Sequence, residues 1–179
     1  TLGLEFEKQN LKNEKILSFN VGNVIKDKKN SSMPSLSKLD QTRSDIVGEF
    51  AYHFNEYNKI EYDFSFDRDL DYSNYDAIIA EFGNNKIVTS FNYVTENHDI
   101  GNSETLSNKT NININNEHSI KFETTKNLVD DFTQFYDLSY KYETDCLLAT
   151  LQYRKKFFRD GDLIPDESLH FLVKFIPFT

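Results

Sequence analysis

Hydrophobic and polar side chains alternate along most of this chain with a period of two. In the stretch 46–54, Ile46, Gly48, Phe50, Tyr52 and Phe54 fall on one side, while Val47, Glu49, Ala51 and His53 fall on the other with Asp45. The next stretch repeats the pattern, with Ile60, Tyr62, Phe64 and Phe66 against Glu61, Asp63, Ser65 and Asp67. Successive side chains of a strand point to opposite faces, so these segments predict strands with one apolar and one polar face. A helix needs a period of 3.6, which neither stretch supplies. Applied to the whole chain, this reading predicts about eleven strands, near 1–8, 14–25, 44–55, 58–68, 74–82, 86–96, 105–114, 118–127, 132–142, 146–158 and 168–178. No segment predicts a helix. Consecutive strands with short connections imply antiparallel neighbours in a meander.

The connections carry a second pattern. Those near 9–13, 55–57, 83–85, 115–117 and 143–145 are short, and those near 27–43, 69–73, 97–104 and 159–167 are longer. The connection at 127–131 breaks the rule, being nearly as short as the turns. Short turns on one rim and longer loops on the other characterise outer-membrane barrels, with the short side periplasmic. Most of the expected strands also match or slightly exceed the roughly 9–11 residues that a tilted strand needs to cross hydrocarbon. Tyr57, Phe82, Tyr142, Phe157, Phe158 and Phe178 recur toward strand ends, where interfacial aromatic girdles would lie.

Composition narrows the partners. The 179 residues fit one domain or part of a larger one, and 20 Lys+Arg against 29 Asp+Glu give a net charge of −9. That balance argues against nucleic acid, whose phosphates select a basic surface. Aromatics make up 15% of the chain, too many for a disordered segment. No apolar run approaches the roughly 20 residues of a membrane helix, but a membrane strand shows lipid only every second residue and so keeps a soluble-looking mean hydropathy. Thr1 stands inside a strand-like pattern without a signal peptide, which leads us to expect that processing or cropping has removed a preceding region. The alternation by itself also fits a soluble β-sandwich or a lipocalin-like barrel, in which the apolar face points inward.

Candidate chemistry is sparse. Asp67-Arg68-Asp69-Leu70-Asp71 has the spacing of a calcium loop, but Tyr72 and Ile78 stand where an EF-hand has Gly and Glu, so a solvated acidic loop is expected. His53, His98, His118 and His170 are scattered and form no paired-ligand spacing. One cysteine excludes a zinc ribbon or a thioredoxin motif. No catalytic constellation, metal site or cofactor site is expected. Arg154, Lys156 and Lys174 are expected on the polar face, there to neutralise acidic neighbours or to meet phosphates of a passing glycolipid.

The region 142–178 supplies a family resemblance. There, Asp145-Cys146 opens a strand carrying Tyr153 and Arg154, and a polar loop with Pro165 and Ser168 precedes a final aromatic strand. This resembles the C-terminal hairpin of the LptD family of lipopolysaccharide-assembly proteins. Residues 39–49, with Arg43-Ser44-Asp45-Ile46-Val47-Gly48, also look like the family's stretch entering an earlier strand. The resemblance implies an all-β antiparallel transmembrane barrel in the outer membrane of a Gram-negative bacterium. Residues 1–179 would form the C-terminal part of a barrel of about 26 strands, without its periplasmic jellyroll and first strands.

The implied activity is insertion of lipopolysaccharide into the outer leaflet, without covalent chemistry. The implied partners are lipopolysaccharide, outer-membrane lipids, an LptE-like lipoprotein plug in the lumen, and a periplasmic LptA-like bridge reached through the jellyroll. The final strand, with Ser168, Phe171, Val173, Phe175 and Phe178, would meet the first barrel strand at the seam where lipid leaves sideways. Cys146 matches a position that the family bridges to its N-terminal region, and it would lie on the oxidising periplasmic side. Asp145 stands where some members carry a second cysteine, so at most one of the two family bridges is expected. A different outer-membrane barrel, such as a porin or a ligand transporter, and a soluble lipid-binding β-barrel remain as alternatives. The chain is not expected to fold alone, because an open sheet leaves two unpaired edges.

Overall fold

The computed structural model describes residues 1–35, 38–98, 101–158 and 165–176. Eleven antiparallel strands follow one another in a single up-and-down sheet, ordered β1 to β11 as in the sequence. They are β1 (Leu2–Gln9), β2 (Lys15–Asn23), β3 (Ile46–Asn55), β4 (Asn58–Phe66), β5 (Ser73–Gly83), β6 (Ile87–His98), β7 (Gly101–Asn113), β8 (His118–Asn127), β9 (Phe132–Glu143), β10 (Leu147–Lys156) and β11 (Asp166–Phe175). Among the described residues there is no helix, and the sheet is not closed by a pairing of its first and last strands. The all-β meander expected from the period-two pattern is therefore present.

The chain divides into two units, residues 1–80 with 93–104, and residues 81–92 with 105–179. In the first unit the register fixes which side chains share a face, because residues directly opposite in an antiparallel pair lie side by side. Leu4, Val21, Gly48 and Phe64 form one apolar row, and Phe6, Phe19, Phe50 and Tyr62 form the next. The opposite face carries the rows Glu5–Asn20–Glu49–Asp63 and Glu7–Ser18–Ala51–Glu61. Gly48 is required by packing: a Cβ there would collide with the Phe64 ring and the Asn20 carbonyl oxygen. Phe64 lies over this gap between Tyr62 and Phe66, with ring centroids 5.4 and 5.3 Å away.

The second unit repeats the two-faced construction. Phe122, Leu138, Tyr153 and Leu169 form a row on its apolar face, with Ile120, Tyr140, Leu151 and Phe171 beside it. Glu123, Asp137, Arg154 and Ser168 make a row on its polar face.

The apolar faces enclose no core. Among the described residues the one buried hydrophobic side chain is Ala77, whereas Leu2 is 68% exposed and Phe175 is 79% exposed. The chain exposes 12599 Å², against about 9,000 Å² expected for a folded monomer of its mass.

The five short turns share one device. Asn10 Oδ1 accepts from the amides of Lys12 and Glu14, Asn55 Oδ1 from that of Tyr57, Asn84 Oδ1 from those of Lys86 and Ile87, and Asn115 Oδ1 from those of Glu117 and His118. Thr144 Oγ1 plays the part in the fifth turn, accepting from Leu147 N. Each side chain takes up amides that the turn would otherwise leave unpaired.

One expected connection differs. The longer loop near 97–104 is largely strand, since β6 continues to His98 and β7 starts at Gly101. Its polar residues find partners that suit a sheet: Tyr93 Oη donates to Glu104 Oε1 at 2.8 Å and Asn97 Nδ2 to the Ser73 carbonyl at 2.8 Å. The contrast between rims therefore rests on the connections 24–45, 67–72 and 157–165.

Candidate functional site

The final strand and the turn before β10 hold the residues that the sequence nominates. β11 pairs with β10 through Leu147↔Phe175, Ala149↔Val173, Leu151↔Phe171 and Arg154↔Ser168. Phe171, Val173 and Phe175 therefore share the apolar face, and Ser168 lies on the polar one. Phe171 is 72% exposed, and β11 is paired on one side only among the described residues. Phe178 lies outside the described residues. β1 is likewise paired on one side only.

Cys146 sits in the short turn between β9 and β10 rather than inside the strand expected from residue 146. Its thiol is free and exposed, with Sγ 3.8 Å from Thr144 Oγ1. The turn is held by Ile176 N, which donates to the Cys146 carbonyl at 2.9 Å. The chain has no second cysteine, so it contains no internal disulfide.

On the polar face of the second unit, Asp137 is 3% exposed. Its Oδ2 accepts from Arg154 Nε at 2.6 Å, Arg154 Nη2 at 2.5 Å and Gln152 Nε2 at 2.6 Å. The Arg154 guanidinium also lies over the Phe135 ring, 5.8 Å from its centroid. A buried carboxylate needs such compensation, so Arg154 neutralises an acidic neighbour. Lys156 and Lys174 lie on the same face by register and have no ion pair among the described residues.

The same face carries a depression of about 350 Å³ lined by Asn111, Asn113, Ser119, Lys121, Ser139 and Thr150 among others. On the polar face of the first unit, a cleft of about 730 Å³ lies over Gly3 and Gly22 and the backbone of Gly48, bordered by Glu5, Glu49 and Asp63. Asn20 donates to Glu49 there at 2.5 Å. These two polar surfaces can hydrogen-bond hydroxyls and charged groups. Among the described residues, no group of three or more His, Cys, Asp or Glu side chains is arranged to hold a metal ion.

A third polar site lies at the long-loop end of the first unit, and the pattern of alternation gave no sign of it. Asp45 is 1% exposed and is the largest fully buried side chain described. The Asp67 carboxyl, expected in a solvated acidic loop, is also buried. It turns inward because its Oδ2 and carbonyl accept from the amides of Asp69 and Leu70, at 3.1 and 2.8 Å, with Leu70 in the left-handed region at φ 62°. Asp69, Leu70 and Asp71 remain exposed. Burial, reinforced by the negative charge of Asp67, pushes the Asp45 carboxyl above its ordinary value.

His53 and His118 each make separate polar contacts. His53 Nε2 is 3.5 Å from Glu61, and His118 bonds Tyr140 Oη at 2.5 Å through Nδ1 and stacks on Tyr142.

Comparison of the chain with protein-family models and with curated proteins finds no match.

Proposed function

We propose that this chain is part of an outer-membrane β-barrel that inserts lipopolysaccharide into the outer leaflet. The observation that carries the membrane reading is the exposed apolar face of each unit, which covers no core. Soluble monomers rarely expose continuous apolar patches beyond a few hundred Å², whereas a barrel wall presents such a face to lipid and its polar face to water. The free edges of β1 and β11 fit the same reading, because hydrocarbon offers backbone groups no partner and further strands must complete the sheet.

The transport reading rests on the resemblance of 142–178 and 39–49 to the LptD family. In it, the polar face takes the sugar head, and β11, with Phe171, Val173 and Phe175, forms one side of a separable seam for the acyl chains. An LptE-like lipoprotein would fill the lumen, and an LptA-like bridge would deliver lipid from the periplasm. Cys146, exposed at a short turn, would be open to a partner thiol from a periplasmic region.

The test uses the full-length parent protein, purified from outer membranes without reductant and mapped by peptide analysis around Cys146. A bridge from Cys146 to an N-terminal periplasmic cysteine is expected. A free thiol in assembled barrel contradicts the disulfide and removes a main support for the LptD reading, leaving a porin or ligand transporter as the better account. Solubility of the parent without detergent favours instead the soluble lipid-binding barrel.

A further inference from the structure

Among the described residues, the Asp45 carboxylate is the most deeply buried charged group, and its surroundings point to a role. Val24 and Ser44 join in two hydrogen bonds, Val24 N to Ser44 Oγ at 2.8 Å and Ser44 N to the Val24 carbonyl at 2.9 Å. Above them Ile25 and Arg43 form a bridge, Lys26 N donates to the Thr42 carbonyl at 2.8 Å, and Asn30 N donates to the Asp40 carbonyl at 2.8 Å. These contacts make a short ladder that carries the direction of β2 and β3 past the end of their regular pairing. Asp45 lies at its foot. Ser44 Oγ donates to the Asp45 carbonyl at 2.8 Å, and Asn74 Nδ2 of β5 donates to Asp45 Oδ2 at 2.8 Å. The second carboxylate oxygen, Oδ1, is buried with no hydrogen-bond partner.

A buried carboxylate oxygen without a donor is costly when ionised and far less so when protonated. The charged groups acting on Asp45 come from two loops. Asp67 repels its charge, while Lys38 and Arg68 favour it. Arg68 is itself engaged by Asp69, with Nε 3.2 Å from Oδ2. The balance leaves the ionised form of Asp45 disfavoured in the closed arrangement.

We propose that Asp45 and Asp67 form a proton-operated latch, in which protonation of Asp45 holds the ladder of residues 24–30 and 40–44 against the rim and ionisation loosens it. The proton comes from solvent, and the opened ladder lets water solvate both carboxylates. The sign follows from linkage. A carboxyl raised above its unfolded value stabilises the closed ladder fully below that unfolded value, and this contribution is lost as pH rises through the folded value. The latch does not depend on the transport reading.

The test is hydrogen exchange of residues 24–30 and 40–44 in the whole protein, from about pH 4 to about pH 8, with each rate divided by that of the unstructured peptide at the same pH. Protection is expected to fall with rising pH, by on the order of tenfold for each unit by which burial has raised Asp45. Asp45→Asn keeps the Asn74 acceptor and is expected to hold protection at its low-pH level throughout. Asp67→Asn removes the repelling charge and is expected to move the midpoint to lower pH, which gives a second reading should Asp45→Asn fail to assemble. Protection independent of pH in the parent overturns the proposal, as does an unchanged midpoint in Asp67→Asn. Restoration of protection by calcium ions at constant neutral pH also overturns it, since that would make the pair a cation site.

Discussion

Arg154 of β10 grips Asp137 of β9 through two nitrogens on a single carboxylate oxygen, Nε at 2.6 Å and Nη2 at 2.5 Å. The two residues lie directly opposite in the register, and Gln152 adds a third donor to the same oxygen. Removing Arg154 strands a buried carboxylate. Arg154→Met is expected to destabilise the protein by about 1–3 kcal/mol, since the arginine itself stays partly open to water. The double variant Asp137→Leu with Arg154→Leu is expected to cost less than the single one, because it buries no unpaired charge. Denaturant titration checks both. Equal losses in the two variants would show that the pair contributes packing alone.

Gly48 and Phe64 predict a steric effect. Gly48→Val is expected to cost about 1–3 kcal/mol through overpacking, because the added atoms meet the Phe64 ring and the Asn20 carbonyl. Phe64→Ala is expected to recover part of that loss and no more, since the Asn20 backbone stays in place. The same titration applied to single and double variants measures the recovery.

The capped turns predict a modest but shared cost. Asn115→Ala leaves the amides of Glu117 and His118 without their Oδ1 acceptor, and Asn84→Ala does the same for Lys86 and Ile87. Each is expected to lower stability by about 1 kcal/mol, whereas Asn→Asp at either position keeps the acceptor and is expected to have a smaller effect.

Two loop carboxylates predict opposite pH dependences. Lys126, whose Nζ lies 2.5 Å from Asp131 Oδ1, holds the Asp131 carboxyl below its ordinary value. Its contribution is present above the unfolded carboxylate value and is lost as pH falls through the lowered one. Asp45 runs the other way. Asp131→Asn should therefore differ from the parent at neutral pH and converge with it in strong acid, whereas Asp45→Asn should match the parent in acid and gain stability over it as pH rises. Asp131 is exposed, so added salt should shrink its effect. Thermal unfolding across pH with each variant reads both trends.

The sheet was legible because its signal is repeated. Every second residue from Ile46 to Tyr52 and from Ile60 to Phe66 belongs to one face, and a period of two has no other regular structure to satisfy it. Local polarity misled at 97–104, where Asn97 and Glu104 read as loop residues although both find partners across neighbouring strands. The Asn at the head of four short turns was present in the sequence at positions 10, 55, 84 and 115. It could have marked those hairpins sharply had side-chain capping been weighed beside length. Asp45 and Asp67 could not have been found this way. Asp45 takes its side-chain donor from Asn74, 29 residues further along the chain, and Asp67 turns back on the amides of Asp69 and Leu70, contacts that alternation does not encode. The face of each β11 residue was readable from parity, but the exposure of Phe171 and Phe175 follows from the unpaired edge.

The central claim is that the apolar faces meet lipid and the polar faces meet water. It is tested most directly by single cysteines at consecutive positions 138–141 of β9, introduced into the protein with Cys146→Ser and presented to lipid membranes. Labelling with a water-soluble maleimide and quenching of attached probes by lipid-borne quenchers then report each side chain's surroundings. The account predicts alternation: Leu138 and Tyr140 positions quenched from lipid and closed to the maleimide, Ser139 and Lys141 positions labelled from water and unquenched. Uniform labelling at all four positions, with no quenching from lipid, would contradict it.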